Sequence, residues 1–159
     1  MVDVTTVYAS GWTLREAAGE LSGILDRKQE LLAIAMPSAP RPGRAWTRQQ
    51  ELGHLCDSAL NNLQRFARLQ IPAHLEDGVW RAQGYAQDDW VRVMDYQNQP
   101  WTSVVELWFA LNRQVLRLMR NAPAEALGNA WLCGEERFTL EWLLVDYVGH
   151  QQHHLKSIL

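Results

Sequence analysis

Residues 139–158, TLEWLLVDYVGHQQHHLKSI, decide the fold of this chain. The apolar residues of this stretch recur every three or four positions, which is typical of an amphipathic helix with one buried face. Thr139 stands immediately before the pattern, where its hydroxyl can cap the first helical turn. We therefore predict a last helix that begins after Thr139 and carries three of the five histidines of the chain.

Three further helices are predicted upstream. Each begins with a capping box, in which Ser or Thr is followed three residues later by Glu or Gln. These boxes are Thr13–Glu16, Thr47–Gln50 and Ser103–Glu106. Apolar residues follow each box at helical spacing, and prolines mark where the helices must stop. Those prolines are Pro37, Pro72 and Pro123.

Four long amphipathic helices without a convincing strand indicate an all-α fold, most simply a four-helix bundle that forms one domain over residues 1–159. The longest gap, from Pro72 to Pro100, suits a long crossover between helices 2 and 3. A short helix around Asp88 to Asp95 is expected inside that crossover. The stretch from Gly128 to Gly134 is expected to be a loop.

Composition and charge exclude several classes of protein. The net charge is −3 and no basic stripe is present, which argues against a nucleic-acid binder. No apolar run approaches the roughly 20 residues that would span a bilayer, so no membrane partner is expected. Cys56 and Cys133 do not make a disulfide framework, which favours a cytoplasmic protein. Met1–Thr5 lacks the features of a signal peptide.

The histidines near the C-terminus have the spacing of metal ligands. His150 and His154 are four residues apart at the edge of the apolar face, so both imidazoles can reach one ion. His153 lies about 160° from the centre of that face and is expected either to point to solvent or to support the ligands without binding the metal. From spacing alone, ordinary histidines near a helix C-terminus, where a positive charge is favourable, are the commoner case.

A second polar cluster lies on helix 2, where His54 shares a face with Asp57, Asn61 and Arg65. This face is nearly opposite the apolar stripe of the helix, and periodicity alone favours a solvated surface over a polar cleft. In a cleft, Asp57 could orient a ligand imidazole or act as a catalytic base. Asn61 and Arg65, together with Tyr147 on the last helix, would then be candidates for binding substrate.

Two segments of the chain resemble the DinB/YfiT-like superfamily of metal-binding four-helix bundles. The first is Trp46-Thr47 followed by Glu51-Leu52-Gly53-His54-Leu55-Cys56-Asp57-Ser58. The second is Thr139–Leu144 running into His150–Ile158, with one departure at Ser157, where relatives usually carry Gln. The order of the four helices and the long crossover are also similar.

The resemblance implies that His54, His150 and His154 bind a divalent transition metal such as Zn, Ni or Fe. It also implies an enzyme that acts on a small-molecule substrate, as a hydrolase or as an S-transferase that uses a low-molecular-weight thiol. Two alternatives remain open at this stage. The chain could be a metal-binding module without catalysis, or a helical bundle that functions through interaction as a homodimer.

Overall fold

A computed structural model describes Tyr8 and residues 11–159 of the chain. The helices of this part are α1 (Leu14–Asp26), α2 (Lys28–Leu32), α3 (Arg48–Arg68), α4 (Gln87–Met94), α5 (Trp101–Asn121) and α6 (Leu140–Ile158). The strands are β1 (Val79–Arg81), β2 (Ala130–Cys133) and β3 (Glu136–Thr139).

The four-helix bundle is formed by α1 with its extension α2, α3, α5 and α6. Helix α3 packs against α5 and α6, and α1 packs against the same two helices. The crossover between α3 and α5 is long and contains α4 where a short helix was expected. The predicted fold class, a four-helix bundle with this crossover, is therefore confirmed.

Two expectations fall partly or wholly on residues 1–7, 9 and 10. The absence of a signal peptide was inferred from Met1–Thr5, which lie outside the described residues. The assignment of residues 1–159 to one domain stays a prediction for the chain as a whole. No helix in the described part of the chain combines the length and the apolar character needed to cross a membrane.

The helix starts follow the capping signals in three cases of four. The boxes at Thr13 and Thr47 form as predicted, and the Thr139 hydroxyl accepts a hydrogen bond from the Trp142 amide. The box predicted at Ser103 is wrong, because α5 already begins at Trp101 after Pro100. The Trp101 indole donates to the carbonyl of Leu31 at 2.8 Å, which anchors this first turn to the end of α2.

The expectation of a fold without strands is wrong in one region. Strands β1, β2 and β3 form a small sheet in that order, with β1 parallel to β2 and β2 antiparallel to β3. The predicted loop from Gly128 to Gly134 contains β2. Strands of three or four residues are too short to show an alternating pattern, and β1 pairs with a strand about fifty residues later in the chain.

Helix α3 is buried on all sides in its N-terminal half. Every residue from Glu51 to Ala59 is buried, because α4, α5 and α6 all pack against this helix. His54 is 1% exposed, so the solvated face favoured by periodicity is wrong and the polar residues there are enclosed. The Trp46 ring covers His54 with a centroid separation of 4.9 Å.

Gly53 allows the closest approach between α3 and the crossover. A Cβ at Gly53 would collide with the ring of Tyr96, whereas a Cβ at Gly23 in α1 would meet open space. We expect Gly53→Ala to lower the free energy of unfolding by about 1–3 kcal/mol, because the Tyr96 ring must move. Gly23→Ala, the matched control, should raise it by roughly 0.5–1 kcal/mol. Urea unfolding of both variants checks this, and an unchanged midpoint for Gly53→Ala would contradict the packing.

Candidate metal centre

Three histidines meet where α3 packs against α6. His54 on α3 and His150 and His154 on α6 each offer a ring nitrogen, and these three atoms lie within 4.8 Å of one another. The Nε2 atoms of His54 and His150 are 3.1 Å apart. His153, on the same helix, is exposed, as its position around the helix predicted. The residue types and spacing read from the sequence are thus brought together by the helix contact.

Tyr8 packs over the same part of α6. Its ring centroid lies 5.0 Å from that of His150 and 5.1 Å from that of His153. The Tyr8 amide donates to Oδ1 of Asp146 at 2.6 Å. Gly149 makes this approach possible, because a Cβ there would collide with the Tyr8 backbone.

The second ring nitrogens of the α6 histidines have partners on α3. Nδ1 of His154 lies 2.9 Å from Oε1 of Glu51, and Nδ1 of His150 lies 3.3 Å from the Ser58 hydroxyl oxygen. A carboxylate partner places the His154 proton on Nδ1 and leaves the lone pair on Nε2. Nδ1 of His54 is buried and has no hydrogen-bond partner among the described residues.

Glu51 is the centre of a hydrogen-bond network that connects three segments. Its buried carboxylate forms an ion pair with Arg41 and accepts a hydrogen bond from the Ser157 hydroxyl at 3.1 Å. Arg41 also donates to the carbonyls of Trp46 and Ser157, at 2.9 and 3.0 Å. The network therefore joins the connection before α3, the first turn of α3 and the last turn of α6.

Sequence reasoning did not assign a role to Glu51 or Ser157. Burial alone would raise the pKa of Glu51, but hydrogen bonds from His154 and Arg41 outweigh it and lower the pKa to about 2. A signal for Glu51 existed, because it precedes His54 by three residues and so shares its helix face. For Ser157, the departure from the family pattern marks the position where this chain makes the contact with Glu51.

Burial favours the neutral form of two imidazoles of the cluster, His54 and His150. It lowers the pKa of His54 to about 3, and it lowers the pKa of His150 well below its usual value. In both cases the neighbouring histidines add to the effect. Neutral imidazole is the form that carries a lone pair for a metal ion.

Asp57 lies one turn after His54 and is 0% exposed. Its Oδ1 accepts a hydrogen bond from the Tyr96 hydroxyl at 2.7 Å, while Oδ2 has no partner within the described residues. Burial raises the pKa of Asp57 to about 6, although the Tyr96 hydrogen bond opposes part of this shift. A carboxyl with that pKa can both give and take a proton near neutral pH. The catalytic role of Asp57 stays a prediction.

Two of the predicted substrate contacts are already occupied within the protein. The Asn61 amide donates to the backbone carbonyl of Asp57 at 2.9 Å. Tyr147 is buried, and its hydroxyl donates to Oδ1 of Asn112 at 2.7 Å. Neither contact favours a direct role in binding substrate, and both assignments stay predictions.

Arg65 lies further along α3 and is partly exposed. Its guanidinium carbon is 4.0 Å from the ring centroid of Trp131, on β2, and 5.9 Å from that of Tyr85. One guanidinium N–H group donates to the side-chain oxygen of Asn62 at 3.1 Å. The small sheet therefore covers the polar face of α3 at the end that carries Arg65.

The raised pKa of Asp57 predicts how stability depends on pH. In the folded protein the carboxyl binds its proton up to about pH 6, against an ordinary pKa of 3.8, so the stability from this group is lost as pH rises through about 6. We expect the metal-free Asp57→Asn variant, which keeps the acceptor for Tyr96, to gain up to roughly 3 kcal/mol over the native chain between pH 4 and pH 8. Urea unfolding across this range measures the difference. A stability difference that does not vary with pH would show that the pKa of Asp57 is not raised in the folded protein.

Comparison with known proteins agrees with this architecture. The family model of the DinB superfamily matches residues 13–158, and no curated protein matches the chain. Among solved structures, YfiT from Bacillus subtilis aligns with a TM-score of 0.77 at 22% identity, over 91% of this chain and 83% of its own. That protein is described as a probable metal-dependent hydrolase with an unusual four-helix bundle topology. Since the family model matches nearly the whole chain and the fold agrees, the chain belongs to the DinB superfamily.

Proposed function

We propose that this protein is an enzyme that depends on a divalent metal held by His54, His150 and His154. The observation that carries the proposal is the convergence of three imidazoles from two helices, with their ligand atoms within 4.8 Å of one another. The description of YfiT as a probable metal-dependent hydrolase supports the same class of chemistry. The reaction is hydrolysis of a small molecule or transfer of a low-molecular-weight thiol, and the thiol comes from the family resemblance.

The donor set fits a divalent transition metal. Two nitrogen ligands of a tetrahedral zinc ion lie about 3.3 Å apart, close to the 3.1 Å between His54 and His150. The buried Nδ1 of His54 has no partner in the described part of the chain, so the hydrogen bonds that orient the rings of His150 and His154 have no counterpart at His54. Imidazole suits Zn, Ni and Fe alike, so the residues define the class of ion and leave its identity open.

The accessibility of the histidines favours catalysis over a closed metal site. His150 and His154 are partly exposed, whereas His54 is buried. Three protein ligands leave at least one position for water or substrate, and a divalent ion there would lower the pKa of a water or thiol. This supports an enzyme over the alternative of a module that only stores or senses metal.

The surrounding residues would orient the ligands and move a proton. Glu51 holds the His154 ring through Nδ1, and Ser58 does the same for His150. Asp57, with a pKa near 6, would accept a proton from the nucleophile or return one to the leaving group. The homodimer and the cytoplasmic location inferred from the sequence stay predictions.

Metal binding is the direct test. We expect about one zinc or nickel ion per chain in the native protein, and loss of that ion in His54→Ala and in His150→Ala, since each removes one of three ligands. His153→Ala is the matched control, because it removes an exposed histidine from the same helix. Plasma mass spectrometry after dialysis against limiting metal measures the content. A native protein that binds neither of these ions nor iron would overturn the proposal, and so would equal loss in His153→Ala.

The Glu51 carboxylate should matter for metal affinity although it is not a ligand. We expect Glu51→Gln to weaken zinc binding by about 10–100-fold. An uncharged amide orients the His154 ring less firmly than a carboxylate does, and it raises the basicity of the ligand nitrogen less. Glu135→Gln, an exposed position in the turn between β2 and β3, is the control and should leave the affinity unchanged. Competition with a chromophoric chelator measures both, with circular dichroism to show that the helices persist. Native-like affinity in folded Glu51→Gln would show that the contact with His154 is not used.

A further inference from the structure

We propose that Arg65, together with Trp131 and Tyr85, forms a subsite that binds a carboxylate group of the substrate. This inference deepens the function proposed above and rests on it for the position of the reacting end of the substrate. It names the chemical class of the substrate as a small organic acid.

The first observation is that Arg65 is held in place from one side. The guanidinium packs on the face of Trp131 at 4.0 Å, which is a favourable cation–π distance. Trp131 is itself fixed, because it is 2% exposed and its indole donates to the carbonyl of Ala82 at 2.9 Å. The hydrogen bond to Asn62 orients one edge of the guanidinium. A planar group oriented in this way is preorganised for a planar anion.

The second observation is that the charge of Arg65 has no counter-ion among the described residues. No carboxylate of the described part of the chain lies within ion-pair distance of it. Burial lowers the pKa of Arg65, yet a guanidinium remains charged in proteins. Arg41, which is also largely buried, does have such a partner in Glu51. Because a desolvated charge without a counter-ion is unfavourable, Arg65 has a physical reason to bind an anion.

The third observation connects Arg65 to the histidines. Asn62 accepts from Arg65 and donates to the Ser58 hydroxyl oxygen, at 3.1 and 3.3 Å, and that oxygen lies 3.3 Å from Nδ1 of His150. Arg65 is seven residues beyond Ser58, which is about 10 Å along the helix axis. A small molecule with its reacting group at the histidines and a carboxylate at its other end would contact both groups.

Arg68 provides an internal comparison for the purely structural interpretation. It lies almost one turn further along α3 and packs on Trp80, which is the β1 partner of Trp131 in the sheet, at 5.5 Å. If the two arginines only attach the sheet to α3, removing either one should change ligand binding equally. Of the two arginines, Arg65 donates to Asn62, which in turn donates to the Ser58 hydroxyl, so the subsite predicts that the two removals weaken ligand binding unequally.

The test uses succinate as the probe, with neutral succinamide and inorganic phosphate beside it, on the full chain with and without zinc. We expect succinate to shift the Arg65 Nε–Hε resonance in a saturable way, and succinamide to leave it unchanged. Calorimetry should show binding of succinate at least about tenfold weaker in Arg65→Gln, as expected for loss of a charge-assisted pair. Arg65→Lys, which keeps the charge and loses the planar fork, should bind with intermediate affinity.

Arg68→Gln is the matched control and should bind succinate within about twofold of the native protein. Equal weakening in Arg65→Gln and Arg68→Gln, or an Arg65 resonance that responds equally to succinamide, would overturn the inference. A response to phosphate without one to succinate would also overturn it. Zinc titration of the same samples separates the two proposals: zinc binding without succinate binding refutes the subsite alone, and the reverse refutes the metal-dependent function alone.

Discussion

The buried carboxylate of Glu51 is the constraint on which the arrangement of the site depends. An ionised carboxylate inside a bundle is unfavourable unless charged and polar partners surround it. Here Arg41, His154 and Ser157 supply those partners from outside α3. Because two of the three lie on α6, the contact fixes how this helix is rotated about its own axis. That rotation turns His150 and His154 toward His54.

The polar residues of α3 divide into three groups along the helix. Glu51 and His54 lie at the metal end, Asp57 and Ser58 follow one turn later, and Arg65 lies at the far end. Each group is enclosed by a different element: the segment carrying Trp46, the crossover with Tyr96, and the sheet with Trp131. One helix face therefore carries imidazole, carboxylate and guanidinium groups in order, and two of the three parts that cover it come from distant segments.

Prediction from the sequence succeeded where the signal is local and failed where it depends on contacts between distant segments. The helices of the bundle and the boxes at Thr13 and Thr47 follow from spacing within a few residues. The box expected at Ser103 did not form, because α5 already begins at Trp101, whose indole contacts the carbonyl of Leu31, seventy residues earlier. Periodicity misjudged His54 because it assumes that a helix has one buried side, and α3 is covered on several.

The sequence by itself determined the class of fold and the residue types of the site, because helical spacing, capping boxes and the interval between His150 and His154 are properties of one segment. Only the tertiary structure decided that His54 is enclosed, that Glu51 contacts His154 and Ser157, and that Trp131 lies against Arg65. These facts depend on the packing of α3 against α6 and against a sheet whose strands are fifty residues apart in the chain. Such packing depends on many weak interactions spread over the whole bundle. No local sequence pattern therefore predicts it.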